Sequence, residues 1–398
     1  MSSYPIESVQ NLIYKYSEIE KDFGRDVWNL MGLPIDKTSM ENTIDKVNNT
    51  ITSKEKCFLS TPNLNFLINS LEDKDFKNSV INSHHVIADG MPLIWISKIL
   101  NIPINERVSG SGLIELLRSK ESSGKKKIKV FFFGGMDGIA QKASEVIKNE
   151  NKGMCTAGYL NPGFVSVEEM STPEIIEEIN NANPDLLIVS LGAKKGQEWI
   201  QTNFDQLNCN VISHLGAVVN FVAGNIERSP KWIQQIGMEW LWRIYQEPLL
   251  FKRYINDGSS FIKLLFKYVI PLCILQKKLL KENSMDNGDV SFRDSFYSTI
   301  IELKGNITSK QIDKVRYYFS IAAASQKEVQ IECENLTYID AANLGQLLLL
   351  LKYKNASDKK VKIVNLNKRL KKLISLHYIK TKIIEYPKNL DQLEIQVA

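Results

Sequence analysis

The sequence has few of the features that mark zinc sites, secretion or nucleic-acid binding. Its five cysteines lie far apart without a CxxC pair, which argues against a zinc site and a disulfide framework. The net charge of +5 and the pI near 8.7 are milder than a nucleic-acid-binding surface requires. The first 24 residues contain no apolar core of the signal-peptide type, so we expect a cytoplasmic protein with reduced thiols.

A long uncharged run is also missing, although one segment is both basic and apolar. Between Trp240 and Lys281 there are eight basic and two acidic residues, a net charge of +6. The longest apolar run in this segment, Tyr268–Leu275, has eight residues, whereas a helix needs roughly 20 to span a bilayer. The sequence therefore predicts a segment that binds the membrane surface through lysines and interfacial aromatic rings. Packing as a linker helix is the alternative.

Apolar strands that alternate with amphipathic helices predict an α/β fold with a parallel sheet. The clearest unit is the apolar strand Val130–Phe133, which is followed by a glycine loop and by Ile139, Ala143 and Ile147 at helical spacing. Ligands of such sheets bind at the carboxyl ends of the strands. Candidate site residues are therefore sought in the loops that follow strands.

Three glycines lie between that strand and its helix. Gly134, Gly135 and Gly138 expose backbone N–H groups where a helix N-terminus can bind a phosphate. The motif GGMDG is not the full dinucleotide fingerprint. Phosphate binding and simple tight-turn geometry both explain it.

An aspartate follows the short apolar strand HVIA. Asp89 at the carboxyl end of a strand is well placed to act as a general base. The N-cap of the next helix is an equally good interpretation from the sequence alone. The neighbouring His84 and His85 are more typical of exposed or packing histidines.

Other polar residues follow strands or turns at the expected ligand edge. Thr61 and Asn63 present a hydroxyl and an amide, although turn chemistry also explains the TPN motif. Arg107 precedes a Ser/Gly turn and suits a bidentate contact to a diphosphate, with a surface salt bridge as the alternative. Gln197 follows a strand and a flexible loop.

One acidic motif invites a metal interpretation. Asp73-Lys74-Asp75 has the DxD spacing with which many glycosyltransferases bind a divalent metal on a sugar nucleotide. It lies in a charged stretch, SLEDKDFKNS, which is more typical of a solvated helix or loop. We therefore expect no metal site there.

Taken in order, these motifs are similar to those of the WecG/TagA/CpsF family of glycosyltransferases. They run from VWNLMGLPIDKTSMENTIDKV through STPNLNFL, ADGMPLIW, ERVSGSGL, FFFGG and LGAKKGQEWI to GAVVNFVAGNIERSPKWIQQIGMEWLWRIYQEP and KRY. The resemblance covers residues 25–258, about 60% of the chain. It implies a Rossmann-like catalytic domain that ends in a helical C-terminal appendage, here SPKWIQQIGMEWLWRIYQEPLLFKRY. An extension over residues 1–24 precedes this domain, and a basic segment and linker over 259–288 follow it.

The resemblance also implies a reaction. A sugar of the N-acetylmannosamine type or a hexose would pass with inversion from a UDP-sugar to a saccharide on a polyprenyl diphosphate. This belongs to bacterial cell-surface polysaccharide synthesis at the inner face of the membrane and implies no metal or other cofactor. Asp89 matches the aspartate that deprotonates the acceptor hydroxyl. The expected substrate-binding positions are Thr61, Asn63, Arg107, Gly134, Gly135 and Gln197, with Arg228, Arg243 and Arg253 from the appendage.

The chain departs from the family pattern at three places. The family usually reads R-A-P where this chain has Arg228-Ser229-Pro230. Asn220 stands where the family frequently has an aspartate. Leu249 and Leu250 follow Glu-Pro where an arginine is common. One expected contact to the diphosphate therefore lacks its arginine.

Residues 289–398 resemble a STAS domain, the small α/β fold of anti-sigma-factor antagonists, in IIELKGNITSKQIDKV and NLTYIDAANLGQLLLLL. The switch proteins carry Asp-Ser-Ser/Thr-Gly and are phosphorylated on a hydroxyl, whereas this chain has Asp340-Ala341-Ala342-Asn343. Alanine has no hydroxyl, so a phosphorylation switch cannot operate there. We expect the domain to bind a partner protein or a second copy of the chain.

Two functions of different classes fit this sequence. One is a UDP-sugar-dependent glycosyltransferase, and the other is a non-catalytic nucleotide-sugar sensor that signals through its STAS-like domain. The presence of Asp89, Arg107 and Gln197, together with the loss of the STAS hydroxyls, favours the enzyme.

Overall fold

The computed structural model describes residues 16–120, 126–230, 232–233, 237–283, 285–296, 298–357 and 359–379, and the backbone of 382–384. Contacts divide the chain into two compact units. One is Ile35–Leu265, and the other combines the N-terminal residues up to Pro34 with the residues from Phe266 onward. The divisions therefore fall at 34 and 265, whereas the sequence suggested 24, 258 and 288.

The first unit is built on a six-stranded parallel sheet, as the alternation of strands and helices predicts. The strand order is β4-β3-β8-β7-β5-β6, and every pairing is parallel. The strands are β3 (Cys57–Ser60), β4 (His85–Val86), β5 (Ile128–Gly134), β6 (Met154–Leu160), β7 (Leu186–Ser190) and β8 (Val211–His214). Parallel strands place all their carboxyl ends at one edge, which is where the candidate site residues are expected.

Helices connect these strands. They are α2 (Met40–Ser53), α3 (Leu64–Glu72), α4 (Lys74–Ile81), α5 (Met91–Ile99), α6 (Gly110–Ser119), α7 (Ile139–Glu150), α8 (Pro173–Asn181), α9 (Ala193–Asn203), α10 (Val218–Val222), α11 (Glu239–Gln246) and α12 (Phe251–Leu264). Polar caps begin several of them. The Oδ1 of Asn63 accepts a hydrogen bond from the N–H of Phe66 at the start of α3, and the hydroxyl of Ser109 accepts from Gly112 in α6.

The sheet has an apolar cluster on each face, and strand β5 contributes to both. Val130 and Phe132 belong to one cluster, whereas Phe131 and Phe133 belong to the other. The ring of Phe133 stacks on buried Trp199 with centroids 4.2 Å apart. Burying one such side chain contributes about 1.5–3 kcal/mol, so β5 is fixed firmly and the glycine loop that follows it is anchored.

A long helical stretch runs from Pro248 to Glu282. A 3-10 turn (Pro248–Leu250), α12, a π-helical segment (Leu265–Val269) and α13 (Ile270–Glu282) form 35 continuous helical residues. Mean hydropathy reaches 1.6 in its most apolar window, of which 17% is buried, so length and composition alone allow it to cross a membrane. The short apolar run therefore does not by itself exclude crossing, because two isolated lysines do not end the apolar window.

The second unit contains the STAS-like α/β fold that the sequence predicts. Its sheet has the order β12-β10-β11-β13-β14, with β9 antiparallel to β10 and the other pairings parallel. The strands are β9 (Asp289–Asp294), β10 (Ser298–Ile307), β11 (Glu328–Glu332), β12 (Leu336–Ile339), β13 (Val361–Val364) and β14 (Lys382–Ile384), and the helices are α14 (Ile312–Ala324), α15 (Ala341–Ala356) and α16 (Lys368–Leu376).

The N-terminal segment of the chain packs on this second unit. It consists of helix α1 (residues 16–23) and strand β1 (Val27–Leu30), which pairs with β2 (Leu33–Asp36). Gly345 of α15 approaches this segment so closely that a Cβ there would lie 2.5 Å from the carbonyl oxygen of Val27. Lys352 and the hydroxyl of Tyr353 both donate to Oδ2 of Asp22 at 2.7 Å. The expected N-terminal extension is thus partly an element of the second unit.

Candidate active site

Two loops that follow neighbouring strands lie side by side at the carboxyl edge of the first sheet. The N–H of Asp89 donates to the carbonyl of Pro62 at 2.8 Å, which joins the loop after β4 to the TPN loop after β3. A Cβ at Gly90 would lie 3.6 Å from the Cα of Asn63. The pairing of β3 with β4 therefore brings Asp89, Thr61 and Asn63 into one region, as their positions in the sequence predict.

Asp89 does not cap the helix that follows it, because Gly90 is the N-cap of α5. Its Oδ2 instead accepts a hydrogen bond of 3.1 Å from the N–H of Gly110, the first residue of α6. Its side chain is 23% exposed. Burial raises the pKa of Asp89, and the Arg107 guanidinium and the Gly110 amide oppose that shift. A partly exposed carboxylate with a raised pKa suits a general base.

Arg107 lies between two carboxylates. Its Nη2 donates to Oε2 of Glu239 at 2.5 Å, and its Nε lies 3.6 Å from Oδ1 of Asp89. The side chains of Arg107 and Glu239 are 17% and 14% exposed. Arg107 is thus in a partly buried ion pair beside the candidate base, and not in the surface salt bridge that the sequence left open.

Arg228 joins the same cluster from the appendage. It forms an ion pair with Glu115 of α6, and its Nη2 lies 3.5 Å from the hydroxyl of Ser109. Burial lowers the pKa of Arg228, and the carboxylate of Glu239 opposes that shift. The positive charge of Arg228 is therefore near Glu239 and close to the start of α6.

The other two appendage arginines contact neighbours within the appendage. Nη2 of Arg243 donates to Oε2 of Glu247 at 3.2 Å. Arg253 is exposed, and its Cζ lies 5.2 Å from the ring centroid of Tyr254. The structure therefore gathers Arg107 and Arg228 around Asp89 and pairs Arg243 and Arg253 with appendage residues.

The glycine loop lies at the end of β5, beside the end of β7. Gly134 and Gly135 have φ of 84° and 98°, and a Cβ at Gly134 would lie 2.9 Å from the carbonyl oxygen of Ser190. Close approach of two strand ends therefore explains Gly134 on structural grounds. A Cβ at Gly135 would meet nothing closer than 3.9 Å, so the backbone there is open to a ligand.

Gln197 lies beneath the candidate site and not on its surface. It is fully buried, and its Nε2 donates to the hydroxyl of Ser60, the last residue of β3, at 3.0 Å. Its amide therefore faces the inside of the fold in this structure, whereas the resemblance implied a contact with substrate. Its place at the end of β3 instead supports the TPN loop from below.

The DxD motif is engaged in helix capping. Asp73 is the N-cap of α4, accepts hydrogen bonds from the N–H groups of Asp75 and Phe76, and pairs with Lys194. Within the described ranges, no group of three His, Cys, Asp or Glu side chains is arranged to hold a metal ion.

The histidines next to Asp89 are also engaged in packing. Nδ1 of His84 accepts a hydrogen bond from the N–H of Phe58, and the His84 ring stacks on Phe204. His85 lies 3.3 Å from Asp36. Both are packing histidines, as the sequence favoured.

Sequence reasoning missed the acidic members of the site. Glu239 was quoted within the appendage motif GMEWLW, yet only arginines were selected there, and Glu115 lies in an ordinary amphipathic helix. It also missed Asp257 of α12, whose two carboxylate oxygens accept from Nδ2 of Asn65 in α3 at 3.3 Å. Burial raises the pKa of Asp257, and Asn65 and Arg253 oppose the shift. This contact fastens α12 next to the TPN loop.

The chain is similar to known proteins in two regions. The model of the glycosyl transferase WecG/TagA/CpsF family matches residues 28–272, and that of the STAS domain matches 289–391. The N-acetylglucosaminyldiphosphoundecaprenol N-acetyl-β-D-mannosaminyltransferase of Bacillus subtilis (strain 168) is 25% identical over 207 residues, which cover 52% of this chain and 78% of that protein. The proteins of the same name from Bacillus spizizenii and Staphylococcus aureus (strain NCTC 8325 / PS 47) are 23% and 22% identical, over 55% and 54% of this chain and 88% and 83% of their own lengths.

Proposed function

Because the chain belongs to the WecG/TagA/CpsF family of glycosyltransferases, we propose that it transfers a sugar from a UDP-sugar to a saccharide carried on a polyprenyl diphosphate. The names of the relatives support an N-acetylmannosamine-type donor and an N-acetylglucosaminyl diphosphoundecaprenol acceptor. The observation that carries the proposal is the partly exposed carboxylate of Asp89, held beside Arg107 at the carboxyl edge of the parallel sheet.

In this mechanism Asp89 accepts the proton of the acceptor hydroxyl as the hydroxyl oxygen attacks the anomeric carbon of the donor. The new glycosidic bond forms on the face opposite the bond to UDP, and that bond breaks with its electron pair on the phosphate. The configuration is inverted in a single displacement. The hydrogen bond from Gly110 and the charge of Arg107 favour the ionised form of Asp89, which is the form that can accept a proton.

The leaving diphosphate gains negative charge as its bond to the sugar breaks. Arg107 and Arg228 are fixed cations near Asp89, and both are mostly removed from solvent. Preorganised charges in such a site stabilise a developing anion without reorganisation. We therefore propose that these arginines, with Arg243 and Arg253 as further candidates, act in place of a divalent metal.

The lipid-linked acceptor places the reaction at a membrane. We propose peripheral binding at the cytoplasmic face through the basic segment Trp240–Lys281. Many of its aromatic and apolar side chains are exposed, with Tyr245 at 82%, and these suit the headgroup region. Each basic residue near an anionic surface contributes about 1 kcal/mol. The exposed residues of this kind are Trp240, Leu241, Tyr245, Leu249, Phe251, Ile255, Ile262, Phe266, Ile270, Ile274 and Leu280.

The test is a transfer assay with purified protein, a panel of UDP-sugars and a polyprenyl diphosphate that carries N-acetylglucosamine. Transfer with one UDP-sugar, together with release of an equal amount of UDP, is the expected result. Binding of a UDP-sugar without transfer to any lipid-linked acceptor would contradict the enzyme. It would favour a nucleotide-sugar sensor that signals through the STAS-like domain.

A further inference from the structure

The ion pair between Arg107 and Glu239 lies directly beside the candidate base Asp89. It joins an arginine between helices α5 and α6 to the first residue of the appendage helix α11. The two residues are 132 positions apart in the chain. Partly buried pairs of this kind are screened less than surface pairs. Glu239 therefore connects the appendage to the part of the site that holds the base.

The contact also fixes the orientation of the guanidinium. Nη2 is taken by Glu239, and Nε faces Asp89 at 3.6 Å without a hydrogen bond. Within the described parts of the chain, Nη1 makes no hydrogen bond either. A planar guanidinium held at one nitrogen presents its remaining donors in a defined direction. Arg107 is thus oriented and still has donors for an anionic ligand.

Among the residues that the structure describes, helix α11 has few other anchors. None of its eight residues is buried. Beyond Glu239, Nε1 of Trp242 and Nε2 of Gln246 donate to the carbonyl of Glu227 at 3.0 Å, and Oε1 of Gln246 accepts from the N–H of Glu227 at 3.0 Å. The ring of Trp240 lies 6.2 Å from that of Tyr254. A helix with no buried side chain depends strongly on such individual contacts. Loss of the Glu239 contact is therefore expected to loosen α11 and, with it, the nearby appendage arginines.

We propose that Glu239 is a positioning residue that orients Arg107 towards the diphosphate of the donor and holds helix α11 against the site. This rests on the proposed UDP-sugar-dependent function. Glu239 does not touch the reacting atoms in this scheme. It acts through Arg107, and through α11 on the cations that the appendage supplies.

The positioning role of Glu239 is tested with Glu239→Ala and Glu239→Gln, using UDP as the probe in titration calorimetry. Glu239→Ala is expected to weaken UDP binding about tenfold, which corresponds to about 1.4 kcal/mol at 25 °C. Glu239→Gln keeps the length and one acceptor oxygen, so it should weaken binding less. The matched control is Glu227→Gln, since the side chain of Glu227 is exposed and its contacts to α11 run through its backbone.

A second measurement separates a role in the site from a role in folding alone. Asp89 faces Arg107, the Gly110 amide and Glu239, and its charge is also felt by Arg228. The Glu239 carboxylate raises the pKa of Asp89, so its removal should lower that pKa. In Glu239→Gln the acid limb of kcat/KM should therefore move to lower pH, whereas Glu227→Gln should leave it in place.

Unchanged or tighter UDP binding by Glu239→Ala would overturn the positioning role of Glu239. Tighter binding would mean that Glu239 competes with the diphosphate. An unmoved acid limb in Glu239→Gln, with a lower melting temperature, would also overturn this role, because Glu239 would then act only in folding. Failure of the wild-type protein to bind UDP is a different result. It would refute the proposed donor itself, whatever the variants do.

Discussion

Replacing Asp89 by asparagine tests proton abstraction with little disturbance of the rest of the site. The side chains have the same shape, and the amide oxygen of asparagine can still accept the hydrogen bond from the Gly110 N–H. Arg107 keeps its stronger contact, the 2.5 Å pair with Glu239. The loop after β4 and the orientation of the guanidinium are therefore expected to survive the substitution.

The expected loss follows from the role assigned to the carboxylate. General-base catalysis contributes roughly 10²–10⁴-fold to turnover, which corresponds to about 3–5 kcal/mol of activation free energy. UDP binding should change little, because Asp89→Asn removes no cation from the site. A large fall in kcat with a nearly constant UDP dissociation constant is therefore the expected signature.

The assay follows transfer of labelled sugar to the lipid-linked acceptor under single-turnover conditions, with UDP binding measured separately by calorimetry. Asp75→Asn is the matched control, since Asp75 is an exposed residue of α4 and the same charge is removed. Near-normal turnover of Asp89→Asn would refute the assignment of the base. An equal loss in Asp75→Asn would show that the DxD motif contributes to the reaction after all.

Three further predictions use the same protein. Activity should survive EDTA because arginines act at the diphosphate; complete loss with EDTA, restored by Mg²⁺ or Mn²⁺, would contradict this. Arg107→Gln should move the acid limb of kcat/KM to higher pH, since Arg107 lowers the pKa of Asp89; a shift to lower pH would contradict the geometry. Co-sedimentation with anionic vesicles should weaken with salt and fall when four exposed lysines become glutamine, whereas binding that ignores lipid charge would make the segment a packing element. The four lysines are Lys263, Lys267, Lys277 and Lys278.

Local patterns were sufficient where one element determines its own structure. Strand β5 and helix α7 lie where the apolar run and the helical spacing of Ala143 and Ile147 predict them, and both residues are buried. The meeting of the loops after β3 and β4 was also predictable. It follows from parallel topology, which brings successive strand ends to the same edge.

Side-chain partners that lie far apart in the chain were not predictable. Glu239 and Arg107 meet only after the appendage has folded back, and no periodicity in the sequence encodes that distance. Gln197 shows the same limit, because its position after a strand indicated the ligand edge but not the direction of its side chain. The direction of the Gln197 side chain depends on how helix α9 packs, and this packing turns the amide towards Ser60.

The STAS-like domain was expected to bind a partner protein or a second copy of the chain, and its largest helix is already covered. Helix α15 follows the Asp340 loop, and 12 of its 16 residues are buried. Part of that cover is the chain's own N-terminal segment, whose Phe23 and Val27 are buried and whose Asp22 is held by Lys352 and Tyr353. A surface already occupied in this way cannot also serve as a docking face without displacing the segment. The described residues 16–34 and those from 266 onward therefore belong to one compact unit, and removing residues 289–398 would expose the apolar side chains of the N-terminal segment as well as deleting a domain.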